Sequence, residues 1–253
     1  MSTIDDWMAF TDKLLEAGVS VMTTGVVDLT EESRADPKVL SLLLLARTLS
    51  HVKAVRLLAK AGRTLEARIL VRNCFENSFW VGKLAKDGNK FVAEMLEDDQ
   101  KRRRVRGQLL FEQQLEFEAE TEAKLRQWMK DNQSWAKGET LSPKGVAKRT
   151  AIEKSYVFYS ELSVDAHPST DALSRYLLAP DEHGRPGIDL EPPLNVDEVI
   201  DTLDLNSCAV LSVLFGVNDV MEATASQQLT DLANEYQRLQ SLIAQYRSVP
   251  QLN

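Results

Sequence analysis

Eight prolines punctuate the 253 residues, and their spacing is the strongest constraint on what this chain can fold into. None lies between Pro37 and Pro143 or between Pro193 and Pro250, while Pro180, Pro186, Pro192 and Pro193 crowd one short stretch. Proline lacks the backbone N–H and its ring clashes with the preceding helical turn, so long proline-free blocks of apolar periodicity read as helices and the crowded stretch as an interruption. No fixed-period self-similarity marks a solenoid. The expectation is an all-α, multi-helix bundle forming a single domain over 1–253, with a small β-hairpin or ordered loop near 177–190.

The composition agrees with a globular core: 43% of residues are hydrophobic, 27% charged and 7% aromatic, which excludes collagen, a disordered tail and a disulfide scaffold. Against 38 acidic residues stand 30 basic ones, a net charge of −8, so the overall field repels nucleic acid and anionic membrane and any contact with RNA has to be local. Cys74 and Cys208 both sit in apolar helical patterns, which fits free thiols in a reducing compartment. No basic-then-apolar leader and no run of eighteen uninterrupted apolar residues occurs. Neither a secretion signal nor a membrane span is expected, and the expected location is cytoplasmic.

Individual helices follow from caps and periodicity. The first is expected from about Ile4 to Met22, capped by Thr3. Asp36-Pro37 is an N-cap followed by a residue whose fixed φ suits the first turn, so the second runs from Pro37 to about Ala61 and stops at Gly62. Its apolar stripe is read as Leu40, Leu43, Leu44, Ala54 and Leu58, with Lys53, Arg56 and Lys60 outside. Thr64 is expected to cap the third helix, which continues to about Lys86. Residues 90–130 read as a charged, projecting helix with a possible bend at Gly107; Glu97, Asp98 and Asp99 precede Lys101, Arg102 and Arg103 by four residues, and Phe91, Met95 and Leu115 are among its sparse apolar positions. A linker over 132–144 leads to a helix from Gly145 to Leu162, a short one from Ser169, and a long apolar one that Asn195 caps and that ends near Val220. In the last helix, about Ser226 to Arg247, Leu229, Leu232, Tyr236, Leu239, Ile243 and Tyr246 repeat every three or four residues, a seam that docks on the bundle or on a second copy. A homo-oligomer through this helix is one expectation.

The chemistry lies in charged residues with helical spacing. Arg68, Arg72 and Glu76 form one stripe of the third helix beside Leu65, Ile69, Phe75 and Phe79. Unpaired ions buried there would cost several kcal/mol each, so they need partners. Arg47 and His51 are four apart on the second helix, and Ile152, Tyr156, Tyr159 and Ser163 align on one face before the chain turns through Asp165 and His167. If these helices are neighbours, the side chains converge on one pocket. An Arg–Glu pair at this spacing also serves as a plain structural ion pair, and His51 as an ordinary core histidine. The three histidines lack Glu-x-x-His spacing, HExxH is absent, and so are GxGxxG, the Walker loop and GxSxG, so no metal and no cofactor is expected.

The Arg68/Arg72/Glu76 stripe and the motif Tyr159, Ser163, His167-Pro168 resemble those of a widespread bacterial helical family of unknown function, over roughly residues 41–220 and with Arg47 among the recurrent features. That family is distantly similar to HEPN-type helical nuclease domains, which cleave RNA without metal using an arginine and a histidine four to six residues further on. Here Arg47 and His51 have three residues between them and no arginine lies just before His167. The resemblance implies catalytic roles for Arg72, Glu76 and His167, with arginine stabilising a pentavalent phosphate while histidine moves the proton. Three readings follow. The first is a pocket for a small anionic or phosphate-bearing ligand held by Arg47, His51, Arg68, Tyr159 and Ser163 together with Arg72. The second is a metal-independent ribonuclease of toxin or phage-defence type, and the third an interaction module using the charged helix and the terminal seam.

Overall fold

The structure, a computed structural model, describes residues 4–24, 27, 31–113, 116–133, 139–191, 195–223 and 227–248. Thr3, Leu115, Ser226, the middle of the expected linker and the Tyr246 side chain lie outside the described residues. Helices α1 (Ile4–Thr24), α2 (Pro37–Lys60), α3 (Thr64–Asp87), α4 (Asn89–Glu112) and α5 (Ala119–Asp131) come first. Then follow α6 (Pro143–Ala147), α7 (Tyr156–Ala166), α8 (Thr170–Ser174), α9 (Val196–Val220) and α10 (Gln227–Ser248). One two-stranded antiparallel hairpin interrupts them, β1 (Leu177–Leu178) with β2 (Gly187–Ile188), in the register Leu177↔Ile188. The molecule is therefore an all-α bundle with a small hairpin.

Helix α3 is the centre: it packs most extensively on α9, then on α2, then on α7. Helix α9 is apolar on nearly every side, so it is stable only when covered all round, and Val199, Leu203, Val210, Val213, Leu214 and Val217 are buried. By length and composition α9 is the one helix among the described residues that could cross a membrane, and most of that apolar stretch is buried inside the bundle. Helices α3 and α9 run parallel: Thr64 and Glu66 share a cavity wall with Asn195 and Glu198 at one end, and Gly82 meets Gly216 at the other. A Cβ on Gly216 would stand 2.7 Å from Val81 Cγ1, so the absence of a side chain is what allows this approach.

Local signals explain many element ends. Asp36 accepts from the N–H groups of Lys38 and Val39 at 2.7 and 3.1 Å, Asn195 from Glu198 at 3.2 Å, and Ser169 from Ala172 at 3.1 Å. Four expectations need correction. Thr64 does not cap α3 but is its first helical residue, with Arg63 in the cap position and no side-chain bond there. The buried face of α2 is Val39, Leu45, Leu49, Val52, Val55 and Ala59, while Leu43 is exposed; Arg56 is half-buried and donates from Nη2 to Asp12 at 2.8 Å. The reason is that Ser41 and Thr48 tolerate burial by donating to the carbonyls of Lys38 and Leu44, both at 2.8 Å.

Third, the expected helix over 145–162 is two, because Lys86 donates to the Arg149 carbonyl at 2.9 Å and Arg149 pairs with Glu94, pulling the chain out of helical geometry. Fourth, the charged stretch is a hairpin of α4 and α5 rather than one projecting helix. Gly107 is a contact point against Leu125 and Met129, and the Arg126 guanidinium lies 4.2 Å from the centre of the Phe111 ring. The acid-before-base pairs do form, at 2.8, 2.6 and 2.9 Å for Glu97–Lys101, Asp98–Arg102 and Asp99–Arg103.

The terminal seam is occupied within the chain. Leu229, Leu232 and Leu239 of α10 are buried, and Tyr236 packs on Trp7 and Phe10 of α1 with ring centres 6.1 and 6.2 Å away.

Candidate functional site

Arg68 and Arg72 stand one turn apart on α3 and have opposite fates. The Arg68 side chain is 7% exposed, and its Nε donates to Asp165 Oδ2 at 2.5 Å, with Glu161 at 3.2 Å and Glu198 at 3.8 Å. Arg175 of the α8–β1 junction completes the cluster, donating to Asp165 Oδ1 at 3.1 Å and pairing with Glu198. Burial alone would depress the Arg68 guanidinium, but the hydrogen bond and charge of Asp165, then Glu161 and Glu198, raise it above its ordinary value. Arg68 is thereby neutralised and locks α3, α7, α8 and α9 together. Sequence reading singled out Arg68 but missed Asp165, Glu161 and Glu198 as its partners and Arg175 as the second cation on them. They lie between 93 and 130 residues further along, beyond the reach of any local spacing signal.

Arg72 meets neutral groups instead. Nε donates to Ser163 Oγ at 2.9 Å, Nη2 donates to the Tyr159 hydroxyl, and the guanidinium carbon lies 4.4 Å from the Tyr159 ring centre, a cation–π contact. Ser163 in turn donates to the Tyr159 carbonyl at 2.7 Å, which fixes the hydroxyl that receives Arg72. Glu76 is the only carboxylate near Arg72 among the described residues, at 3.7 Å. Tyr159 sits in an aromatic group with Tyr156 (5.5 Å, stacked) and Phe79 (5.9 Å, edge-on). Burial, then the Glu76 charge, push its phenol above the ordinary value, so it remains protonated.

The α2 residues stand on the other side of the same α3 face. Thr48 accepts from Asn77 of α3 at 3.0 Å, which puts neighbouring Arg47 on the α2 edge toward α3, and the Arg47 charge acts on the buried Cys74 thiol of α3. Burial itself pushes that thiol up to about 12, so Cys74 is inert at neutral pH. Arg47 is exposed; its Nε donates to His51 Nε2 at 3.4 Å, and among the described residues no carboxylate pairs with it. Burial and then Arg47 lower the pKa of His51, holding the imidazole neutral. The half-buried residues Ile69, Arg72, Asn73, Glu76 and Trp80 form one stripe along α3.

Of the residues singled out from sequence, Arg72, Glu76, Tyr159 and Ser163 meet directly, while Arg47 and His51 bond to each other on α2. His167 does not join them: it follows the last turn of α7, exposed, with its backbone extended at φ −115 and ψ 152. Among the described residues its imidazole has no hydrogen bond or ion pair, and no group of three or more His, Cys, Asp or Glu side chains is arranged to hold a metal. Cys74 and Cys208 are both free.

Fold and site together define an all-helical bundle with a cluster of arginine, tyrosine and serine side chains on its central helix. Residues 38–185, more than half of the chain, match DUF5677, a family of unknown function, and the chain belongs to that family. The matched stretch ends earlier than the resemblance over 41–220 implied, and it contains Arg47, His51, Arg72, Glu76, Tyr159 and Ser163 while leaving out α1, α9 and α10. No curated protein and no solved structure matches the chain.

Proposed function

We propose that the α3 surface around Arg72, with the flanking residues of α2 and α7, binds a small anionic, phosphate-bearing ligand through Arg72 and Arg47, with His51, Tyr159 and Ser163 as supporting groups. The observation that carries this reading is the contrast along α3. Arg68 is neutralised by the buried Asp165 with Glu161 and Glu198 beside it, whereas Arg72 is aimed by two hydroxyls and an aromatic ring and faces one loosely placed carboxylate. A guanidinium has five N–H donors in a planar fork that matches phosphate oxygens. Tyr159, Ser163 and Asn73 engage one donor each, which leaves one N–H on each terminal nitrogen for a ligand. Arg47 adds a second guanidinium, so this surface holds two cations against Glu76 in a chain of net charge −8.

Inorganic phosphate, pyrophosphate and nucleoside phosphates, titrated calorimetrically, test this. Arg47→Ala, at an exposed position, leaves the melting temperature unchanged and weakens binding about tenfold or more, the loss expected when a hydrogen bond to a charged group is removed. Glu76→Gln tightens binding by removing the competing carboxylate. No binding by any of these compounds, or binding that survives in an Arg47→Ala/Arg72→Gln double variant, would falsify the proposal.

Metal-independent RNA cleavage is the second reading, favoured by the neutral His51 beside Arg47, since a base next to a phosphate-binding cation is the minimum such chemistry needs. It requires cleavage of single-stranded RNA that is lost in His51→Ala. Loss in His167→Ala alone would move the base to the exposed position beyond α7.

A further inference from the structure

The hairpin of β1 and β2 carries an apolar face that nothing among the described residues covers. Leu177 stands directly opposite Ile188 and Leu178 opposite Gly187, and the Asp189 N–H, donating to the Tyr176 carbonyl at 2.8 Å, extends the ribbon by one residue. Successive side chains of a strand point to opposite faces, and directly opposed residues share a face. Leu177, Ile188 and Leu190 therefore lie on one side of the ribbon, with Tyr176, Leu178 and Gly187 on the other. The second side meets the bundle through Tyr176, which is half-buried and lines the cavity that Thr64 and Asn195 share. On the first side Leu177, Ile188 and Leu190 are 61, 74 and 81% exposed.

This face is held in place from behind. Arg63 pairs with Glu191 at 2.5 Å, Arg175 with Asp165 and Glu198, and Arg185 with Asp181 at 2.9 Å across the turn. Pro180 and Pro186, which lack N–H groups, flank strands of only two residues, so the ribbon edges offer little backbone for a third strand and the free surface is the face. A two-stranded hairpin is marginal in water by itself, and a layer packed on its apolar side is what makes such a ribbon stable.

We propose that this face is the contact between two copies of the chain, packed ribbon on ribbon about a two-fold axis. With about 200 Å² for a fully exposed leucine or isoleucine, the three side chains offer about 400 Å² per copy, close to the apolar share of the roughly 800 Å² that each partner gives to a stable interface. The chemistry of the face selects a second copy. Arg175 and Arg185 are already engaged by carboxylates, so the hairpin presents no free guanidinium to an anionic headgroup or an acidic partner. Identical aliphatic faces complement each other without any polar match, and homodimer contacts are the more apolar class. The contact is separate from the α10 seam, which α1 occupies.

Sedimentation velocity of the full chain from about 1 to 100 μM, the range in which a micromolar dimer forms, tests the inference. A dimer is expected at the upper end. Leu177→Glu/Ile188→Glu sediments as a monomer throughout, with unchanged helical circular dichroism. Ile188→Thr, which keeps the β-branched shape of a strand residue, weakens the dimer about tenfold or more. Leu43→Glu/Leu57→Glu, at two similarly exposed leucines of α2, leaves the dimer intact. A chain that is monomeric over the whole range, or a dimer that survives Leu177→Glu/Ile188→Glu, overturns the proposal. Loss of the dimer in the α2 variant would place the contact on that helix and overturn it too. Cosedimentation of a monomeric chain with phosphatidylcholine vesicles would give the face to a lipid surface instead.

Discussion

Asp165→Ala removes the carboxylate that receives Arg68 Nε at 2.5 Å and Arg175 Nη2 at 3.1 Å. The side chains of Arg68 and Asp165 are 7% and 4% exposed, so the substitution leaves a guanidinium out of water without its main counterion. Breaking a buried pair from one side costs about 3–5 kcal/mol. Glu161 at 3.2 Å and Glu198 at 3.8 Å remain close to Arg68, which sets the expectation at the lower end, about 3 kcal/mol. For a chain of this size that corresponds to a fall in melting temperature of about 6–12 °C. Urea unfolding followed by helical circular dichroism measures it. Glu161→Ala, at a carboxylate 59% exposed, costs no more than about 1 kcal/mol. The double variant Arg68→Met/Asp165→Ala recovers part of the loss and, with Arg68→Met alone, closes a cycle with a coupling energy of about 2–3 kcal/mol. A cost under about 1 kcal/mol for Asp165→Ala, or a larger one for Arg72→Gln, would refute the assignment of Arg68 to structure and Arg72 to the ligand.

Three further expectations rest on other parts of the molecule. Asn206 of α9 is fully buried and, among the described residues, both its amide atoms are unpartnered, so Asn206→Leu stabilises the fold by about 1–3 kcal/mol, read as a higher urea midpoint; a lower midpoint would show that the amide has a partner. Because burial and Arg47 lower the pKa of His51, the unfolded chain takes up a proton below about pH 6.5 that the folded chain refuses. Stability contributed at this position is therefore complete above that pH and declines as the pH falls; His51→Gln flattens that part of the profile, and an unchanged profile would exclude His51 as its source. Deleting residues 224–253 uncovers Trp7 and Phe10, which are packed against Tyr236, so the truncated chain loses helix or aggregates; a well-folded truncation product of lower mass in sedimentation would instead assign α10 to assembly.

The parts of this architecture written into short stretches were legible without coordinates. Asp36-Pro37, Ser169 and Asn195 announce helix starts because a side-chain oxygen satisfies N–H groups two or three residues on. The Arg68, Arg72 and Glu76 stripe follows from helical spacing alone. The face of α2 did not, since leucines at 40 and 42–45 surround the helix and allow two stripes, and the choice falls to hydroxyls that bond their own backbone. Nothing in residues 148–155 breaks a helix by itself; Lys86 and Glu94, brought there by α3 and α4, do so. The same holds for the site. That Arg68 needs carboxylates could be argued from the cost of burying it, but Asp165 and Glu198 become its neighbours only when α7 and α9 fold against α3.

Ser163 and Asp165 occupy a single turn of α7, one accepting from Arg72 and the other clamping the arginine that holds the bundle. On the proposed function, tightness of recognition and resistance to unfolding depend on one short piece of backbone, so variants selected for heat tolerance at the ionic clamp should alter ligand preference without touching Arg72 or its partners.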